Sequence, residues 1–341
     1  MLSTRIGEFA ALSTALFWTV TVLCFEVAGK RVGTLSLNLL RLTFGFLFLA
    51  LFSWITRGMV LPLDASPYLW FWLTASGLVG FVLGDILLFQ AFIEIGARIS
   101  MLIYSAVPPL SALLGWFFLE ERISGRGFLG MAITLIGIGL VVLERGEPVE
   151  GFSTREAPGK QEAGSREPAA SKEKAFFKNI VYKNTATFKG TSRVRFRHPI
   201  RGVLLAFGGS LGQALGLILS KHGAPSYNAF SATQIRCMAG IVGFSLVILL
   251  SRRGNQFLAA LRDPVALRII LLGSFFGPFL GVSLSLVSIQ LTSTGVASTI
   301  MALVPVLVIV PSHLLFKEPI RFREVEGAAI AVGGTVLLFF H

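Results

Sequence analysis

Apolar residues fill this chain in long unbroken runs, and polar residues gather in the short intervals between them. Crossing the ~30 Å hydrocarbon layer of a bilayer takes about 20 apolar residues in a helix. Runs of that kind occupy positions near 7–28, 35–56, 67–92, 96–119 and 126–143, and again near 200–220, 229–250, 266–289, 294–316 and 325–340. Their pattern predicts an all-α protein of ten transmembrane helices. Gly33, Pro62, Asp64, Pro67, Gly254 and Pro264 punctuate the intervals, and Tyr68, Trp70 and Trp72 open the third run as an aromatic cluster suited to a membrane interface.

Between the fifth and sixth runs the texture changes. Residues 145–198 begin as a Pro-, Gly-, Ser- and Glu-rich stretch with the composition of disorder. They continue as a basic stretch suited to an anionic membrane surface. Three parts are expected: a five-helix unit over 1–144, a linker over 145–198 and a second five-helix unit over 199–341.

The two units repeat one another. At an offset of 197, Gly80 aligns with Gly277, Gly84 with Gly281, Pro108 with Pro305, Glu121 with Glu318, Gly130 with Gly327 and Gly137 with Gly334. Over the first hairpin the offset is 195, which aligns Gly7 with Gly202, Ser36 with Ser231 and Arg41 with Arg236. Five is an odd number of crossings, so two such units in one chain must be inverted relative to each other. Inverted repeats are an architecture of secondary transporters, with a site between the halves and alternating access by rocking.

Composition narrows the classes further. Hydrophobic residues make up 54% of the chain and charged residues 14%, against roughly 25% charged in soluble domains. Of the formal net charge of +12, the segment from Arg145 to Arg201 contributes +7 through 13 Lys/Arg and six Asp/Glu. The basicity is therefore mostly a linker property, and nucleic acid is not an expected partner. Cys24 and Cys237 lie singly in apolar runs, with neither disulfide nor metal spacing. Glu8 and Glu26 bracket the first run, which lacks a small-residue cleavage site and does not resemble a signal peptide. Neither a phosphate-binding GxxxxGK[ST] loop nor an HExxH motif occurs, so neither a nucleotide-driven pump nor a zinc hydrolase is indicated, and no cofactor or metal is expected.

Ionisable and polar residues inside spans are the candidates for a substrate or proton pathway. Asp85 lies deep in the third run and has Val282 as its repeat counterpart; it can titrate, bind substrate or pair with Arg41. Arg41 and Arg236 stand at matching positions, which favours a structural role for both. Trp18, Asn38, Gln90, Tyr104, Gln213, Gln234 and Gln290 complete the expected cavity. Glu26 and Lys221 are read as interfacial charges. Glu121 and Glu318 follow the fourth helix of each unit and are read as caps on the next helix. Pro108, Pro109, Pro305 and Pro311 are expected to kink the fourth and ninth helices.

The stretch 77–143 resembles an EamA domain of the drug/metabolite transporter superfamily. The resemblance rests on the Gly84–Asp85 pair, the Ile95-Gly96-Ala97 turn, Pro108, Glu121 and the Gly-rich fifth helix, and 277–340 resembles a second copy that departs at Val282 and at 317–319. It implies a ten-helix carrier of small metabolites, often exporting, driven by protons or by exchange. The expected partners are a small-molecule substrate, the bilayer and protons, with the chain acting as a monomer or weak dimer in a prokaryotic cytoplasmic membrane. The sparse cationic lining favours an amino-acid-like or amphipathic solute. A nucleotide-sugar or sugar-phosphate exchanger and a non-transporting scaffold stand as alternatives. On orientation two expectations differ. Lys30, Arg31, Arg98, Arg252, Arg253, Arg262, Arg268, Lys317, Arg321 and Arg323 share the linker side, which the positive-inside rule makes cytoplasmic, whereas the resemblance implies cytoplasmic termini.

Overall fold

The computed structural model describes residues 2–118, 124–142, 199–291, 300–316, 320 and 322–339, and every regular element among them is helical. The first unit comprises α1 (Leu2–Val32), α2 (Thr34–Arg57), α3 (Pro67–Gly77), α4 (Asp85–Tyr104), α5 (Val107–Phe118) and α6 (Gly125–Val142). The second comprises α7 (Ile200–Gly223), α8 (Ala229–Leu250), α9 (Gly254–Leu261), α10 (Pro264–Ser274), α11 (Val282–Leu291), α12 (Val304–Leu307), α13 (Ile309–Phe316) and α14 (Phe322–Phe339). Met1–Leu143 and His198–His341 form one compact unit. Glu121, Glu318 and the linker lie outside the described residues.

Among the described residues, six helical stretches are long and apolar enough to cross a membrane: Ile6–Val32, Thr34–Arg57, Pro67–Tyr104, Ile200–Gly223, Ala229–Leu250 and Pro264–Ser288. Shorter apolar helices accompany them. This is a multi-pass membrane protein. The 38 residues of Pro67–Tyr104 would run about 57 Å as one straight rod at 1.5 Å per residue, far more than a bilayer needs. Gly96 breaks them, with φ 81° and ψ 158°, values open to glycine and strained for other residues. The expected Ile-Gly-Ala turn is therefore the point at which this stretch breaks.

Local chemistry explains the other boundaries. Gly58 ends α2 in the left-handed conformation, and its N–H reaches the Trp54 carbonyl. Ser66 caps α3 ahead of Pro67, and Asp263 caps α10 ahead of Pro264, accepting from the Val265 and Ala266 N–H groups at 3.1 and 3.0 Å. These two caps are themselves 197 residues apart. So are two segments not foreseen from the sequence: Leu78–Gly84 and Phe275–Gly281 are π-helical, widening the third helix of each unit at the same seven positions.

Packing between the units is reciprocal. A Cβ added at Gly137 would meet the Gly327 carbonyl oxygen at 2.7 Å, and one added at Gly334 would meet the Gly130 carbonyl oxygen at 2.7 Å. As the residue number rises along α6 it falls along α14, so the two helices run antiparallel. Gly45 faces Pro278, and its repeat partner Gly240 faces Phe81, the repeat partner of Pro278. Thr21 faces Gly277 where Gly216 faces Gly80, and Trp18 faces Gly281 where Gln213 faces Gly84. A local twofold relation accounts for all four pairs. Small residues allow this approach, because helices in lipid associate through close packing rather than through a hydrophobic force. Outward surfaces carry apolar side chains suited to lipid, among them Phe9, Ile55, Phe117, Leu249 and Leu250.

Polar residues near the helix ends form two sets of ion pairs and hydrogen bonds between the units. Arg31 pairs with Asp263, Arg98 with Glu324 at 3.1 Å and Arg201 with Glu94 at 3.5 Å, all at the end from which the linker leaves. Arg57, Asp64, Tyr227 and Ser231 are linked at the other end. Each set ties the first unit to the second.

Candidate functional site

The third helix of the first unit delivers the central carboxylate. Asp85 directly follows the π-helical segment and is 3% exposed, about 16 Å from the break at Gly96 at ~1.5 Å per residue. Its Oδ2 pairs with the Arg41 guanidinium from α2, and its Oδ1 accepts from Gln213 Nε2 of α7 at 2.7 Å. Gln213 Nε2 also donates to the Gly80 carbonyl at 3.0 Å, a carbonyl within the π-helical segment. One side chain of the second unit is thereby bound to the buried carboxylate of the first.

Arg41 is held on every side. Its Nε donates to Asn38 Oδ1 at 2.8 Å, and Asn38 Nδ2 donates to the Thr34 carbonyl at 2.9 Å, so Asn38 positions the arginine. The guanidinium lies 4.7 Å from the Phe89 ring centroid and 5.8 Å from those of Phe25 and Phe81. Stacking and pairing of this kind suit arginine, whose charge persists in a buried place.

Arg236 approaches the same region from the opposite end. It stands seven residues into α8 as Arg41 stands seven into α2, and because the halves pack reciprocally, Phe81 lies between the two cations. The Arg236 guanidinium is 4.5 Å from the Phe81 centroid. Arg236 is 4% exposed and its Nε makes no hydrogen bond. No carboxylate of the described residues forms an ion pair with it. Tyr104, on α4, shares the electrostatic environment of Asp85, Arg41 and Arg236.

The structure thus brings together Asp85, Arg41, Asn38, Gln213, Arg236 and Tyr104. Trp18 sits at the pseudo-symmetric counterpart of Gln213 and packs with Val282 in an apolar cluster. The same location is therefore polar in one half and apolar in the other. Gln90 turns to Glu94 at 3.0 Å, and Gln234 donates to the Val60 carbonyl at 2.6 Å near a membrane face. The Gln290 side chain lies outside the described residues. Pro108 opens α5 after a break at Ser105–Ala106, and Pro305 lies in the short α12.

One reading needs correction. Glu26 is not an interfacial charge: it is 1% exposed, and its Oε2 accepts from the Ala97 N–H at 3.0 Å while Oε1 pairs with Lys30 at 2.6 Å. It caps the helix that restarts after Gly96, where unpaired N–H groups favour a carboxylate. Arg41 and Arg236 stand at equivalent positions with different neighbours, since the first pairs with Asp85. Sequence reasoning also missed Phe81. Its repeat partner is Pro278, and nothing in its local pattern marks it as the ring between two arginines.

At 208–212 the sequence reads GGSLG, which has the spacing of a hydrolase nucleophile elbow. Here it is plain helix: Ser210 is fully buried and donates to the Ala206 carbonyl at 2.9 Å. It has none of the strand-to-helix turn that presents such a serine.

Comparison with known proteins agrees with this architecture. The model of the EamA-like transporter family matches residues 5–143 and 200–340, one copy for each unit. No curated protein matches the chain. A solved structure described only as "Crystal structure of protein" superposes with a TM-score of 0.58 at 14% identity, covering 97% of this chain and 95% of its own. At that identity the likeness concerns the fold alone.

Proposed function

Because the chain belongs to the EamA-like transporter family, and so to the drug/metabolite transporters, we propose that it is a ten-helix secondary carrier with two inverted repeats. It moves small amphipathic metabolites, chiefly outward across the cytoplasmic membrane, by alternating access with proton coupling or exchange. The observation that carries this reading is the hydrogen bond from Gln213 to Asp85. It joins the two units at a buried carboxylate, so any rocking of one unit against the other must strain or break it. A functional carboxylate seated at the hinge contact is what couples binding or protonation to rocking.

The ends of the bundle fit the same scheme. Ion pairs between the units at the linker end and the Arg57–Asp64–Tyr227 cluster at the other form two locks that would open alternately. The π-helical segments supply the compliant points of the third helices. The positive-inside count assigns the linker end to the cytoplasm.

The test is solute profiling of cells with and without the protein, followed by counterflow in proteoliposomes with each solute that changes. Saturable counterflow that Asp85→Asn alters is the expected result. A purified, folded protein that moves none of these solutes would defeat the reading.

A further inference from the structure

We propose that Arg236 is the seat of a substrate carboxylate, which occupies beside it the place that the Asp85 carboxylate occupies beside Arg41. This inference rests on the transport reading for its biological sense, but its physical basis is separate.

The repeat supplies the geometry. Arg41 and Arg236 are equivalent positions, and the residue equivalent to Asp85 is Val282. Val282 opens α11, which packs against α8, the helix that carries Arg236, and Val282 and Cys237 belong to one apolar cluster. Where the first unit offers Arg41 a carboxylate, the second offers Arg236 a valine. The cation keeps its charge, is 4% exposed and has an Nε without a partner. Its ring contact with Phe81 offsets only part of the desolvation of such a group. A visiting anion completes the pair.

Charge sets the class of that anion. Arg41 and Arg236 face a single carboxylate, Asp85, which already accepts from Arg41 and Gln213. One positive charge is left over, which matches a monoanion. A phosphate ester carries close to two negative charges and draws affinity from several converging cations, and the described site has only one to spare. The surroundings of Val282 are apolar and aromatic, including Trp18, Phe81 and Phe279, so the rest of the solute is hydrophobic. An arylalkanoate fits, and the carboxylate is the part recognised. Asp85 is engaged and is not the seat of an ammonium.

The experiment installs the missing carboxylate in the purified full-length chain. Val282→Asp should raise the thermal midpoint in the presence of Arg236 and lower it in an Arg236→Gln background. A fall of similar size in both backgrounds would overturn the proposal, and this arm needs no ligand. The second arm measures binding of 3-phenylpropanoate, 3-phenylpropanamide and phenyl phosphate to the wild type. The first should bind, and Arg236→Gln or Val282→Asp should weaken it roughly 10–100-fold, the loss expected for charge-assisted hydrogen bonds. The amide binding as well as the acid, or the phosphate ester binding best, would overturn the proposal. Carboxylates that bind but show no counterflow would defeat the transport reading and leave the seat intact. Counterflow confined to solutes without a carboxylate would do the reverse.

Discussion

Thr134 and Ala331 are the same position of the two repeats, 197 residues apart, and the Thr134 hydroxyl donates to the Ala331 carbonyl at 3.3 Å. A residue touching its own repeat partner marks the local axis of the molecule. Around that point α6 and α14 approach more closely than side chains would permit.

Stability should therefore depend sharply on which glycine is changed. A Cβ at Gly334 would lie 2.4 Å from the Thr134 nitrogen, whereas Gly139 and Gly333 have open space around the added atom. Gly334→Val is expected to cost about 1–3 kcal/mol, as overpacking does, or to prevent folding. Gly139→Ala and Gly333→Ala should be neutral or stabilising by up to about 1 kcal/mol. Thermal unfolding in detergent, followed by fluorescence and monodispersity, measures the contrast; equal effects at Gly334 and Gly333 would argue against the close crossing.

Asp85→Asn leaves two buried guanidinium groups and no carboxylate beside them. Removing one member of a buried pair typically costs about 3–5 kcal/mol, so the variant should unfold at a lower temperature. Asp85→Asn with Arg41→Met should recover part of the loss, because replacing both members by a well-packed pair is often near neutral. In proteoliposomes Asp85→Asn should lose gradient-driven accumulation and retain some downhill exchange. Full accumulation at every pH would make the carboxylate purely structural.

The Arg31–Asp263 lock carries a pH signature. Burial raises the Asp263 carboxyl, but hydrogen bonds from Arg31 and from the Ala266 N–H outweigh it and hold the group below its ordinary value of 3.8. A folded-state value below the unfolded one means the contribution is fully present above the ordinary carboxylate range. It is lost as pH falls through the folded value. Comparing the thermal midpoints of wild type and Asp263→Asn should thus show a constant gap from pH 7 to 5 that closes below about pH 4. Since the pair is partly solvent-exposed, the gap should be small. A gap that widened on acidification would contradict the assignment.

Orientation can be read at the same place. Cysteines introduced by Arg31→Cys and Asp263→Cys should be joined by a short bifunctional thiol reagent, which spans the gap left by the arginine side chain. A membrane-impermeant thiol reagent added outside intact cells should fail to block them if the linker end is cytoplasmic, while reaching a cysteine placed at Asp64. Blocking at Arg31 and protection at Asp64 would reverse the orientation.

Much of this protein is legible without coordinates. Lipid imposes a simple code of length and apolarity, so the all-helical fold and the long apolar helices follow from the runs. Repeat offsets of 195 and 197 survive because each repeat conserves its own turn chemistry, with Pro67 and Pro264 behind their caps and glycines at the crossings. The Gly96 turn was visible for the same local reason. The expected caps at Glu121 and Glu318 and the properties of the linker fall outside the described residues.

The site was legible only as a set of names. Asp85 meets Arg41 across 44 residues and Gln213 across 128, and no local pattern encodes a contact made between helices that belong to different units. Glu26 looked like an end-of-helix charge until the fold placed the Ala97 N–H beside it. Arg41 and Arg236 looked alike because sequence equivalence reports shared ancestry and position, not present neighbours. Their difference arises because the two repeats, packed face to face with unlike residues at 85 and 282, enclose one neutralised cation and one that awaits its anion. Sequence alone determined the long apolar helices, the duplication and the transporter class, since these depend on composition and period. Only the tertiary structure decided which charges pair, because pairing depends on distance after the halves have come together.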